Sequence, residues 1–587
     1  MEKKQKGLYV ADIISKYKNR EYCTHLVRRS YREGGKVKQE TIANITHLPE
    51  ETRELIRQNL KGRVLVPVDE AMETVSSRAH GHVAAVRKMM DELDLINLIS
   101  PFPCRERDLV VSLIAARILN PQTKLATSRW WHTTTIPEMM GVEDADEDDI
   151  YEAMDWLVER QAKIEDGLAK RHLKNGSPVL YDVSSSYYEG TQCSLAQYGY
   201  NRDKKKGKRQ IVYGLMTDHE GRPISVSVYP GSTSDSKTLA EQIDKIKGRF
   251  HLEEVVLAGD RGMLTQVKIE ALKEMGGIDW VSALRSKSIQ CLVEQGHIQL
   301  SLFDTLHLME IYSPDYPGER LVVCRNPYLA KERQRTRLDL LEATEKKLGE
   351  LAKRVAAGKL VQEGKIGEAL GRVSNQYKVA KHFEFTVGEG KFSYARNEQR
   401  IAREAALDGF YVIRTSVAEE RWPKEEVVLG YKSLSRAERG FRTLKSIDLR
   451  IRPIHHRLED RVEAHIFLCT LAYYVEWHLR QKWQSMIFDD EFPGGHENDS
   501  PVLPALRSES ALAKASTQRR PDGSIVHSFQ TLLSELGTIQ CNENWIPAVP
   551  EIPPFYQFTK PNKLQTEALE YLGINVSSMH GRQKKRT

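Results

Sequence analysis

The chain has 587 residues, enough for several domains, and its 40% hydrophobic and 29% charged content is that of an ordinary globular protein rather than a disordered or membrane-spanning one. With 87 Lys/Arg against 81 Asp/Glu the formal charge is only +6, so composition alone does not argue for a nucleic-acid partner. The seven cysteines are scattered and form no CxxC pair, which excludes a disulfide framework or zinc ribbon and predicts a reducing, cytoplasmic setting.

In chain order, residues 1–75 are β-rich, with a turn at Arg32-Glu-Gly-Gly-Lys36 between two strand-like runs. Residues 1–40 carry eleven Lys/Arg against five Asp/Glu, which makes this the locally basic region. Residues 76–175 are helical, as in Arg107–Leu119, which stops at Asn120-Pro121. The acidic run Glu143–Asp149 reads as the start of a helix favoured by its dipole, rather than as a metal site. No N-terminal apolar segment reads as a signal peptide. The apolar run Ile466–Val475 is too short to span a bilayer and reads as the middle of a buried helix, so no membrane partner is expected.

From residue 176 the pattern changes. Val179–Ser184 reads as a strand, Gln210–Thr217 and Pro223–Tyr229 as a hairpin, Glu254–Gly259 as a buried strand and Asp279–Leu284 as another, with helices at Ser236–Lys247 and Leu264–Met275. This order predicts a mixed α/β sheet over 176–284. Residues 285–430 interrupt it with a strand at Arg320–Cys324, a charged helix over 329–356 and a hairpin at His382–Tyr394. Helices follow at Ser435–Ser446 and from Glu459 to about Gln481. The Gly/Pro/Ser/Asp-rich stretch 486–525 reads as a loop or linker, and Gly581–Thr587 as a frayed basic tail.

Two carboxylates stand where a strand should be buried. Asp182 lies inside LYDVSSSYYEG, and Asp260 follows the apolar run Val255–Gly259 directly. An ionised carboxylate in such a place is costly unless paired. If the two strands are neighbours, as in an RNase H-like sheet, the carboxylates meet at one edge, and a divalent cation relieves their repulsion. Hydroxyl partners from Ser184–Ser186 are the alternative for Asp182, and a helix cap is the alternative for Asp260. Asp218 and Asp235 are weaker candidates, the first in a hairpin turn and the second at a helix start.

The stretch Tyr431–Lys445, YKSLSRAERGFRTLK, resembles the tyrosine–arginine–glutamate–lysine signature of bacterial insertion-sequence DDE transposases, in the IS-four superfamily of Tn-five-like enzymes. Tyr431, Glu438 and Lys445 match in register, whereas the arginine position holds Leu434, as in the IS-sixteen-thirty-four-like branch; Arg436, Arg439 and Arg442 are candidate substitutes. YDVSSSYYEG, GDRGM and GSTSDSKTL are also similar to that branch, and the resemblance covers about residues 178–480. It implies an RNase H-like mixed-sheet catalytic core, residues 176–284 and 431–485, interrupted by an inserted α+β domain at 285–430. It further implies DNA-binding regions at 1–75 and 76–175, and a C-terminal region, 486–587, that serves dimerisation.

The resemblance implies a function as well. Asp182, Asp260 and Glu438 form the catalytic triad and hold Mg2+, with Mn2+ as a substitute; Tyr431, Arg442 and Lys445 contact DNA. The partners are terminal inverted repeats and target DNA, handled by a homodimer at the nucleoid. A metal nuclease or resolvase without strand transfer, and a catalytically silent DNA-binding protein, are the alternatives. The capping pattern Ser435-x-x-Glu438 is the structural alternative for Glu438. Glu438, Arg442 and Lys445 fall at i, i+4 and i+7 on one helix face, with Lys445 expected to be exposed. The run Asp203–Arg209 reads as a solvated loop with some capacity for phosphate contact, Trp280 as core with base stacking as the alternative, and His455, His456 and His465 as lacking the spacing of a zinc site.

Overall fold

In the computed structural model the β-branched runs of the α/β region become strands of one eight-stranded mixed sheet. Residues 7–18, 20–63, 71–304, 306–492, 500–547, 551, 553–575 and 583–584 are described. The strands are Pro178–Tyr187 (β1), Gln210–Asp218 (β2), Pro223–Pro230 (β3), Val255–Gly259 (β4), Ile278–Ala283 (β5), Leu308–Ile311 (β6), Arg320–Arg325 (β7) and Phe410–Thr415 (β8). Their spatial order is β6-β7-β8-β5-β4-β1-β2-β3. β1 pairs antiparallel with β2 and parallel with β4, and β4 pairs parallel with β5. Every residue of β2 and β4 is buried, which is why both read as continuous rather than alternating apolar runs. Gly214 in β2 is required by its neighbour: a Cβ there would collide with the Tyr181 ring, which precedes Asp182 in β1.

This sheet belongs to a unit of residues 81–537 and 564–574. Helices Arg105–Leu119 (α1), Glu147–His172 (α2) and Glu459–Lys482 (α3) pack together beside it; α2 and α3 both reach β3. α3 buries Ile466–Val475 completely, as the apolar run predicts. α2 starts at the acidic run through a capping box between Asp146 and Asp149, and Arg105 pairs with Asp144 and Asp149 at 3.0 Å. Among the described residues no helix is long and apolar enough to cross a membrane, and all seven cysteines are free.

Two sequence readings of this unit need correcting. Residues 285–430 are not set apart from the sheet, because β6, β7 and β8 extend it beyond β5. What stands off is the helix Pro327–Ala356, the helix Glu363–Tyr377 and the hairpin Phe383–Gly388/Lys391–Arg396, which share a core around Leu341, Leu348 and Phe383. The stretch 486–525, read as a linker, holds a helix at Glu509–Thr517, and its Val502 is buried against Val427 and Val428; residues 493–499 lie outside the described residues.

The second unit gathers residues 1–80, 538–563 and 575–587. Leu8–Tyr17, Arg20–Glu33 and Lys36–Asn44 form an antiparallel sheet of three strands where the sequence suggested two β-rich pieces. Gly34 and Gly35 make the last turn, both with positive φ, as a tight two-residue hairpin demands. Arg57 of the helix Glu50–Leu60 clamps Asp12 on the first strand at 2.9 Å. A second sheet pairs Glu73–Ala79 with Gln540–Trp545, so part of the region read as a separate C-terminal segment completes the N-terminal unit. Of the tail at 581–587 only Gln583–Lys584 is described, paired with Phe555–Tyr556; the rest lies outside the described residues.

Candidate active site

The last pair of the parallel β1–β4 ladder is Tyr181 with Gly259. The next residue on each strand is a carboxylate: Asp182, still within β1, and Asp260, just past the end of β4. Parallel pairing thus brings side by side two aspartates that are 78 positions apart in sequence. The helix Leu434–Arg442 (α4) crosses β1 and buries Ala437 against Leu180 and Ala258, which turns Glu438 to the same place. Asp182, Asp260 and Glu438 all line one cavity of about 610 Å³, together with Tyr431, Arg202 and Asp235.

The electrostatics identify the strained group. Burial is the main reason that the Asp182 carboxyl is pushed up to about 6, and repulsion from Asp260 and Glu438 adds to it. Its cationic neighbour Arg202 is paired with Asp235 at 2.6 Å. Asp182 Oδ1 accepts the Val183 N–H at 2.8 Å, and Asp260 Oδ1 accepts that of Arg261 at 2.7 Å, so each Oδ2 remains as a donor to a cation. Glu438 is exposed at the same cavity. Among the described residues no three His, Cys, Asp or Glu side chains already stand at metal-ligand spacing. Oxygen-only donors converging on one cavity nonetheless suit Mg2+, which takes one or two carboxylates and completes its shell with water and substrate phosphate.

The other expected residues fall in three places. Tyr431 lies in the cavity wall, and burial first, then the charges of Asp260 and Glu438, push its hydroxyl up to about 12, so it remains a hydrogen-bond donor. Arg442 ends α4 and is exposed. Lys445 does not meet expectation: it sits in a widened turn, Thr443–Ile447, with a side chain 12% exposed, and pairs at 3.3 Å with Asp203, which is 1% exposed. Arg452 also binds Asp203, and Asp203 Oδ2 accepts the Tyr187 N–H at 2.9 Å. The segment opening at Asp203 is therefore anchored at that residue instead of freely solvated.

Leu434, in the place of the signature arginine, packs against Leu180, Ala258 and Ala437. Of the candidate substitutes, Arg436 bonds the His219 carbonyl and Arg439 pairs with Asp489 at 2.6 Å. The arginine that does reach the carboxylates is Arg202, which sequence reasoning missed. Asp235, read as a helix start, is the fourth carboxylate of the cavity. The Ser435 capping alternative is not realised, because α4 begins at Leu434 with Ser433 before it and no side-chain cap bond. Asp218 serves its turn, bonding Arg222 at 2.6 Å and two backbone N–H groups. Trp280 is 2% exposed in β5, which assigns it to the core.

A model of the transposase DDE domain matches residues 175–475, just over half of the chain, from β1 into α3. The protein is a member of the DDE transposase family. Residues 11–65 match the N-terminal domain of IS1634 family transposases, so the chain is an IS1634-like transposase. No curated protein matches it. A solved structure, the cryo-EM structure of the piggyBac transposase synaptic complex with hairpin DNA, aligns over 86% of this chain and 84% of that one at 10% identity, with a TM-score of 0.33, a likeness too slight to build on.

Proposed function

We propose that the protein binds insertion-sequence ends, cleaves DNA phosphodiester bonds there and joins the ends to target DNA by a divalent-metal mechanism on an RNase H-like core. The observation that carries this reading is the convergence of Asp182, Asp260 and Glu438 on one cavity from three different elements. The order β3-β2-β1-β4-β5, with β2 antiparallel to both neighbours and β1, β4 and β5 parallel, supports the RNase H-like assignment.

Asp182, from within β1, and Asp260, from just past the end of β4, would hold Mg2+, and Glu438 would close the ligand set from α4. The bound metal supplies activation of the attacking oxygen, from water or a DNA 3′-hydroxyl, and neutralises charge on the phosphate. Tyr431, protonated at working pH, donates a hydrogen bond toward that phosphate. Arg202 tempers the carboxylate charge and keeps Asp182 ionisable. Arg442 and the exposed basic strands of residues 8–44 bind the DNA backbone, the latter at the transposon end. The projecting helices and hairpin within 327–396 help to handle that end, and two copies act on paired ends.

The test is to incubate the protein with pre-cut terminal repeats, a supercoiled plasmid and Mg2+. Joined products are expected. Nicks without joining would mark a nuclease or resolvase, and end binding without either would mark a silent DNA-binding protein.

A further inference from the structure

A second cavity, of about 490 Å³, lies between the end of α1, the link Pro121–Thr123 with the start of the helix Lys124–Trp130, and the segment Arg450–His465. Among the described residues five arginines, one lysine and three histidines line it, and no carboxylate does. Two of these cations are neutralised nearby: Arg452 by Asp203, and Arg461 by Asp155 at 2.9 Å. Arg117, Lys124, Arg450 and Arg457 have no carboxylate within 4.0 Å among the described residues. Cations so grouped raise one another's energy unless an anion sits among them.

Lys124 is the most telling of the four. It is 3% exposed, and Arg117 beside it 6%. His465 Nε2 lies 3.0 Å from the Ile451 carbonyl and so carries its proton there, which leaves Nδ1 to accept from Lys124 Nζ at 3.4 Å. That long bond uses one N–H of the amine and leaves the others inside the cavity. Burial, with Arg117 adding to it, pushes the ammonium down to about 7, as befits a buried cation lacking its counter-ion. A buried ammonium with a single long hydrogen bond is costly, and among the described residues no acid relieves it.

We propose that this cavity is a phosphate-binding site, with Lys124 and Arg117 at its floor and Arg450 and Arg457 at its mouth. Arginine forks fit phosphate oxygens in pairs, and a recessed lysine adds a point charge beneath them. Two sources offer this chemistry: a phosphate of a DNA strand or free inorganic phosphate. The site is distinct from the acidic cavity, whose carboxylates would repel an anion in the absence of metal.

The test uses sodium phosphate at constant ionic strength with the full-length protein, followed by calorimetry and by thermal unfolding. A saturable heat and a rise in Tm are expected. Lys124→Met should abolish both; Arg450→Ala with Arg457→Ala, two exposed positions, should weaken binding at least tenfold and guards against misfolding of the lysine variant. Asp182→Asn should bind phosphate as the wild type does, which keeps this outcome independent of the acidic cavity. Displacement of phosphate by a single-stranded oligonucleotide would name DNA as the source, and its absence would name free phosphate. No saturable phosphate effect in the wild type, or one unchanged in the double arginine variant, overturns the proposal.

Discussion

Lys445 Nζ donates to Asp203 Oδ1 at 3.3 Å, and the bond is made inside the protein, where Arg452 holds the same carboxylate. The signature lysine thus ties the segment after α4 to the loop that carries Arg202 into the acidic cavity. That contact is architectural.

Lys445→Ala should therefore destabilise the protein by about 1–3 kcal/mol, because among the described residues the buried Asp203 then keeps Arg452 and the Tyr187 N–H. Urea unfolding of Lys445→Ala, Asp203→Asn and the double variant checks this. The losses should be markedly less than additive. Strict additivity would mean that the pair does not interact in solution.

Why this was illegible in the sequence is plain: Lys445 and Asp203 are 242 positions apart, and a run of charges such as Asp203–Arg209 looks solvated unless its distant partners are known. The strands β1, β2, β4 and β5 were legible because β-branched and apolar runs end at turn residues, and Asp182 and Asp260 because a carboxylate against such a run is out of place. Glu438 was legible only through the family signature. The strand Leu8–Tyr17 was overlooked, its outer half being exposed and interspersed with Asp12 and Lys16. The pairing of Gln540–Trp545 with Glu73–Ala79 carries no local signal at all.

Asp182→Asn should stabilise the metal-free protein. The native carboxyl is lifted from 3.8 to about 6, so the native state holds its proton more tightly than the unfolded chain does. The resulting penalty is absent below about pH 4, grows as pH rises through 6 and reaches about 2–3 kcal/mol once the group is ionised. Unfolding in chelator should show Asn ahead of Asp by that amount at pH 8 and level with it near pH 4. A gain that persists at pH 4 would have another origin.

Arg202→Ala should raise the Asp182 carboxyl further, since the guanidinium is one of the groups that lowers it. The acid limb of the pH–cleavage profile should move to higher pH, with a larger loss at pH 6 than at pH 8. Equal losses at both would assign Arg202 to DNA binding rather than to the carboxylate.

Arg20, Arg29 and Arg32 are exposed on one strand of the N-terminal sheet. Replacing all three with alanine should weaken end binding and reduce the slope of log affinity against log salt by up to about 3, at roughly 0.9 per phosphate contact. Gel-shift titrations across a salt series measure both quantities. An unchanged slope would move end recognition elsewhere.

The most direct measurement compares cleavage and joining of terminal-repeat DNA in Mg2+ by the wild type and by Asp182→Asn, Asp260→Asn and Glu438→Gln, with end binding followed on the same DNA. Each amide keeps the shape of its side chain and removes the charge that holds the metal. All three variants should bind ends near wild-type affinity and lose cleavage and joining by about 10²–10³-fold, the scale expected when an electrostatic stabiliser of the transition state is removed. Substantial cleavage by any one of them would contradict the assignment of these three carboxylates as the catalytic set.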